Sequence, residues 1–108
     1  MAIPLPAPIA LFFELSNKED STSLERCFAT DARVHDEKRT HRGITEIRNW
    51  FIEAKKKYSY TAEPLEMEDD EATVTVRARV SGNFPGSPAV LRYVFELRDG
   101  RIQSLAIG

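Results

Sequence analysis

Apolar and polar positions change period along this chain, and the changes mark its elements. Ile9, Phe12 and Phe13 recur at helical spacing behind Pro8, a residue suited to the start of a helix; this stripe ends by Ser16-Asn17. Thr22-Ser-Leu-Glu25 has the spacing of a capping box and predicts a second, short helix with Leu24, Cys27 and Phe28 as its apolar face. From Ala32 the period becomes two: Ala32, Val34 and Asp36 share one face, Arg33, His35 and Glu37 the other. Lys38 to Arg42 reads as a polar loop. Gly43 then opens the longest predicted helix, with Ile44, Ile47, Phe51, Ala54 and Tyr58 on one side and Trp50 beside them; Lys55, Lys56 and Lys57 suit its C-terminal dipole.

Everything beyond Tyr58 alternates as strands do. A change of phase at Glu63-Pro64 predicts a bulge or an edge. Glu68-Asp-Asp-Glu71 reads as an acidic turn, and Gly82 to Pro88 as a turn-rich loop. Between them Ala72, Val74, Val76, Ala78 and Val80 point one way. Leu91, Tyr93, Phe95 and Leu97 follow in the next strand, and Asp99-Gly100 is a two-residue hairpin signal before Ile102 to Ile107. The prediction is an α+β fold: three N-terminal helices packed on one face of a curved, mostly antiparallel sheet that encloses a cone-shaped space suited to a small molecule.

Composition narrows the function. The 108 residues fit one domain, 1–108, with 1–7 as an extended arm because Pro4, Pro6 and Pro8 break up a run that lacks the basic start of a signal peptide. A net charge of -2 favours neither nucleic acid nor an anionic membrane, and no apolar run is long enough to span a bilayer. Cys27 is the only cysteine, which fits a reducing cytoplasm. His35, Asp36 and His41 carry metal-ligand chemistry. However, alternation sends His35 and Asp36 to opposite faces, and no compact motif adds a third ligand, so neither a metal nor a cofactor is expected.

Three segments carry a family resemblance: Phe28-Ala-Thr-Asp-Ala-Arg-Val-His-Asp36, Arg42-Gly-Ile-Thr-Glu-Ile-Arg-Asn-Trp-Phe51 and Phe95-Glu-Leu-Arg-Asp-Gly-Arg-Ile102. With the element order, they resemble the nuclear transport factor 2-like superfamily, including SnoaL-like polyketide cyclases and ketosteroid isomerase. The resemblance implies a cystatin-like cone. It places Asp36 where ketosteroid isomerase-like members carry their general-base aspartate. That enzyme's oxyanion pair, a tyrosine and a protonated aspartate, falls at about Phe12, which cannot donate, and Tyr93, which can. The implication is a proton transfer other than steroid isomerisation, with Asp36 as base and Tyr93 as donor.

On this reading the chain is a cofactor-independent isomerase, cyclase or lyase acting on a small, largely apolar molecule, with Phe12, Val34, Trp50 and His41 around the ligand. The alternative is a non-catalytic ligand-binding or dimerisation module, whose cavity is filled by its own side chains and whose Asp36 is exposed or salt-bridged. Thr73, Thr75, Arg77, Arg79, Arg92, Val94 and Glu96 form the outer sheet face, through which relatives pair, so a homodimer with Arg–Glu pairs across a two-fold axis is expected.

Overall fold

The computed structural model describes residues 4–71 and 73–108. Helix α1, Ala7–Lys18, begins with a proline in its first turn and buries Ile9, Phe12, Phe13, Leu15 and Ser16. The predicted arm is therefore one residue shorter, and residues 1–3 of it lie outside the described residues. Glu19 ends α1 in the left-handed region, its N–H returning to the Leu15 and Ser16 carbonyls.

The second predicted helix is absent, so two helices rather than three are found among the described residues. Only one 3₁₀ turn, Leu24–Arg26, stands there. Both halves of the capping box are engaged elsewhere. The Thr22 hydroxyl and N–H donate to Asp20 Oδ1 at 2.6 and 2.9 Å, and Glu25 pairs with Arg48 at 2.7 Å. Tertiary pairing then takes over: the Ile102 N–H donates to the Cys27 carbonyl at 2.7 Å, and strand β1 starts at once, Phe28–Asp36.

The expected loop at Lys38–Arg42 is instead strand β2, Arg39–Arg42, folded back on β1 through a turn in which Glu37 and Lys38 both have positive φ. That backbone belongs to a two-residue hairpin usually signalled by Asn or Gly, so neither residue announced it. Helix α2, Gly43–Tyr58, follows, burying Ile47, Trp50, Phe51 and, against expectation, Lys55. The Glu46 carboxylate accepts the Arg42 N–H at its start.

The sheet is completed by β3 Thr61–Asp70, β4 Thr73–Ser81, β5 Ala89–Arg98 and β6 Arg101–Ile107. The order is β2-β1-β6-β5-β4-β3, antiparallel except where β1 runs parallel to β6. The register of β3 slips between Pro64 and Glu66, the bulge expected from the phase change. Glu68 to Asp70 pair with β4 rather than forming a turn. Ala72, expected as an inward residue, lies outside the described residues. Asp99 and Gly100 both take positive φ in the β5–β6 hairpin.

One apolar core joins α1 and α2 to the inner sheet face. Val34 of β1, Val76 of β4, Phe95 of β5 and Leu105 of β6 are all closed off from solvent there. On the outer face Arg77 and Arg79 pair with Glu66 and Glu63 of the same chain, at 2.6 and 3.4 Å. Such exposed pairs contribute little to stability, roughly 0–1 kcal/mol each.

Lys55 has a different fate from Lys56 and Lys57. It is 4% exposed, donates to the Tyr60 carbonyl at 2.6 Å and lies 3.6 Å from the centre of the Tyr60 ring. Burial pulls its ammonium down to about 8 from 10.5. The unfolded chain therefore binds this proton more tightly. Stability from this group is fully present above pH 10.5 and lost as pH falls through 8. Urea titrations between pH 8 and 10 should show Lys55→Met with a shallower rise of stability than the natural chain.

Candidate active site

β1 carries Asp36 to its end, beside the β1–β2 turn and under α2. Its side chain is half-buried, and the Trp50 Nε1–H donates to Oδ2 at 3.1 Å. Burial raises the Asp36 carboxyl above its ordinary 3.8. The Trp50 hydrogen bond works against that shift, the neighbouring Glu37 charge adds to it, and the Glu37 backbone N–H and His41 ease it.

Two hollows meet at Asp36. One is largely apolar, about 460 Å³, walled by Val80, Phe84, Leu91 and Ile107, with Asp36, Glu37, Tyr58, Tyr60 and Tyr93 as its polar side chains. The other, about 570 Å³, is lined mainly by charged and polar residues, among them Arg39, His41, Glu46, Asn49, Glu53 and Lys56, together with Trp50. Asp36, Glu37, Ala54 and Tyr58 border both. Tyr58 donates its hydroxyl to Glu37 and sets its ring edge-on to Phe84, 6.0 Å between centres.

Two tyrosines of the apolar hollow, Tyr60 and Tyr93, are held protonated. Tyr60 is pushed up to about 12, first by burial and then by the charge of Asp36, the Ser16 side chain pulling the other way. Burial drives Tyr93 far above the ordinary phenol range, and the charges of Tyr60 and Asp36 add to it. Each therefore keeps an O–H that can donate, and neither serves as a base.

The structure brings Asp36 and Tyr93 to one hollow. His41 and Trp50 line the other, their rings tilted at 6.2 Å. Phe12 and Val34, expected to touch a ligand, line neither. Phe12 is 1% exposed, its ring 5.3, 5.7 and 5.9 Å from those of Phe13, Phe28 and Phe95. Val34 sits on β1 two residues before Asp36, fully closed off. Both are core, because a residue inside the apolar stripe is covered where a residue at a strand end is not.

Tyr60, Phe84, Leu91 and Ile107 were not anticipated. Tyr60 shares the parity of buried Ala62, a usable signal; Phe84 lies in an irregular loop and gives none. Gly82 brings that loop close: a Cβ there would lie 2.7 Å from the Tyr58 carbonyl and from Tyr60 Cβ. Cys27 takes no part, because burial lifts its thiol to about 12 and its Sγ donates to the Leu24 carbonyl. Among the described residues no three His, Cys, Asp or Glu side chains stand close enough to hold a metal ion. Among the described residues no helix is long and apolar enough to cross a membrane.

Helices on one face of a six-stranded mixed sheet, with an aspartate at the end of the first strand, define a domain of the nuclear transport factor 2-like, cystatin-like type. Within it the chain belongs to the SnoaL-like domain family, whose model matches residues 9–105. A Sinorhizobium meliloti protein, provisionally assigned as a polyketide cyclase, is 45% identical, with a TM-score of 0.93 over 96% of this chain and 95% of that one. A Catenulispora acidiphila protein of ketosteroid isomerase-like fold, solved with trimethylamine, is 17% identical, with a TM-score of 0.84 over 97% and 86%. A cystatin-fold protein from Novosphingobium aromaticivorans is 14% identical, with a TM-score of 0.78 over 99% of both chains. No curated protein of assigned function matches the chain.

Proposed function

We propose that the apolar hollow binds a small, largely apolar carbonyl compound and that Asp36 removes a proton from the carbon beside its carbonyl. The observation that carries this reading is that Asp36 and Tyr93 face one largely apolar hollow, the carboxyl raised by burial and the phenol held protonated. The Asp36 carboxylate takes the C–H proton. The electron pair moves onto the carbonyl oxygen, and the Tyr93 O–H donates to the charge that develops there. The resulting enolate then attacks a second carbonyl, expels a leaving group or regains its proton at another carbon. These are cyclase, lyase and isomerase outcomes, and none calls for a cofactor. The 45% identical relative's provisional assignment fits the first, since ring closure of a polycarbonyl chain begins with this proton loss.

Titration of the ¹⁵N-labelled protein with 2-naphthol, an apolar bicycle with one hydroxyl, tests the binding half. Saturable shifts are expected at Tyr60, Leu91 and Tyr93. Leu91→Trp, which fills the hollow, should weaken binding at least tenfold. Shifts confined to other surfaces, or an unaffected Leu91→Trp variant, would overturn the assignment of the hollow.

A further inference from the structure

The sequence suggests Trp50 only as an apolar wall, but its indole has a polar task. Trp50 is 7% exposed, so its N–H needs an acceptor within the protein, and Asp36 Oδ2 supplies one at 3.1 Å. Buried Ile47 and Phe51 flank it on α2, and the His41 ring packs beside its own. The indole is thus held in place before any ligand arrives.

An indole N–H only donates, and it is neutral. A hydrogen bond to Oδ2 therefore survives whether Asp36 is ionised or protonated, provided that the proton sits on the other oxygen. A lysine or arginine in the same place would also hold the carboxylate, but its charge would weaken the base much more.

We propose that Trp50 is a positioning residue for proton transfer: its N–H holds Oδ2 of Asp36 and presents Oδ1 to the substrate. This rests on the reading of Asp36 as the base. In the step, the substrate C–H bond breaks and its proton forms an O–H bond with Oδ1. The C–H electron pair moves to the substrate's carbonyl oxygen, while Oδ2 becomes the acid's carbonyl oxygen and still accepts from Trp50. Other ionisable groups line the two hollows with Asp36: Glu37 in the β1–β2 turn, Arg39 and His41 on β2, Glu46, Glu53, Lys56, Lys57 and Tyr58 on α2, Tyr60 just before β3 and Tyr93 on β5. All of them remain in a Trp50 variant, so a change in how Asp36 titrates reports the missing indole.

Trp50 is the only tryptophan, so the protein has one indole N–H signal in a ¹H–¹⁵N spectrum. That signal is expected to move with pH at the same midpoint as the Asp36 side-chain ¹³C signal, and to lose this movement in Asp36→Asn. In Trp50→Phe the Asp36 midpoint should move to higher pH, because the charged form has lost a donor. Turnover can be read with 5-nitrobenzisoxazole, which loses one ring C–H proton as its N–O bond opens to a coloured phenolate. Trp50→Phe should lower kcat about tenfold with KM changed less than about twofold, and the pH–rate limb should move with the carboxyl midpoint. An indole signal indifferent to Asp36 ionisation would overturn the proposal without needing any variant to fold, as would an unmoved carboxyl midpoint in Trp50→Phe. If indole and carboxyl titrate together but Asp36→Asn turns over the probe as fast as the natural chain, the base assignment falls instead.

Discussion

Asp36→Asn is expected to lower proton-transfer turnover of 5-nitrobenzisoxazole by about 10²–10⁴-fold, the range that a positioned general base contributes. An amide keeps the size of the carboxylate and still offers an oxygen to the Trp50 N–H, so the hollow keeps its shape, but it cannot take the proton. The same substitution should make the protein more stable at neutral pH. In the folded chain the Asp36 carboxyl titrates above 3.8, so its stability contribution is fully present below that value and is lost as pH rises through the folded pKa. Asparagine never ionises and avoids the loss. A gain in urea unfolding at pH 7, absent at pH 3, is the expected pattern for a group kept for chemistry at the expense of stability. Full turnover in the variant would remove Asp36 from the mechanism. Reduced stability at pH 7 would show that the carboxylate is instead a favourable structural ion.

The second large effect lies in the core. Phe12→Ala should cost about 3–5 kcal/mol, a large part of the roughly 5–15 kcal/mol that holds a domain together. Its ring meets Phe13, Phe28 and Phe95 and approaches Tyr93 at 6.3 Å, so its loss opens a void that several stiff rings surround and cannot close. Phe12→Leu should cost distinctly less. Urea unfolding measures both, and equal costs would show that the aromatic cluster is not tightly packed. The cavity lies behind Tyr93, so 2-naphthol binding should weaken in Phe12→Ala even under conditions where the variant is fully folded.

The helices and strands with a persistent apolar period were legible in the sequence. Val74, Val76, Ala78 and Val80 all point inward as their alternation implies, and Ala32, Val34 and Asp36 share the predicted face of β1. The phase change near Pro64 revealed its bulge. The errors fell where a short segment carried a local signal that distant partners overrode. Thr22 and Glu25 have capping-box spacing, but Asp20 and Arg48 take their side chains, and pairing with Ile102 draws the next residues into a strand. Arg39 to Arg42 have no apolar residue at all and become strand only because β1 lies alongside.

The candidate site divides along the same physical line. Strand phase alone turns Asp36 inward and His35 away, because side chains on a strand alternate whatever lies around them. The role of Asp36 depends on atoms brought from elsewhere in the chain: Trp50 from α2, Tyr60 from the link between α2 and β3, Phe84 from the β4–β5 loop and Tyr93 from β5. Periodicity marks a residue as inward-facing but does not say whether the space before it is filled. Packing fills that space at Phe12 and Val34 and leaves it open at Asp36, where β1 ends and the neighbouring side chains stop short of closing over it.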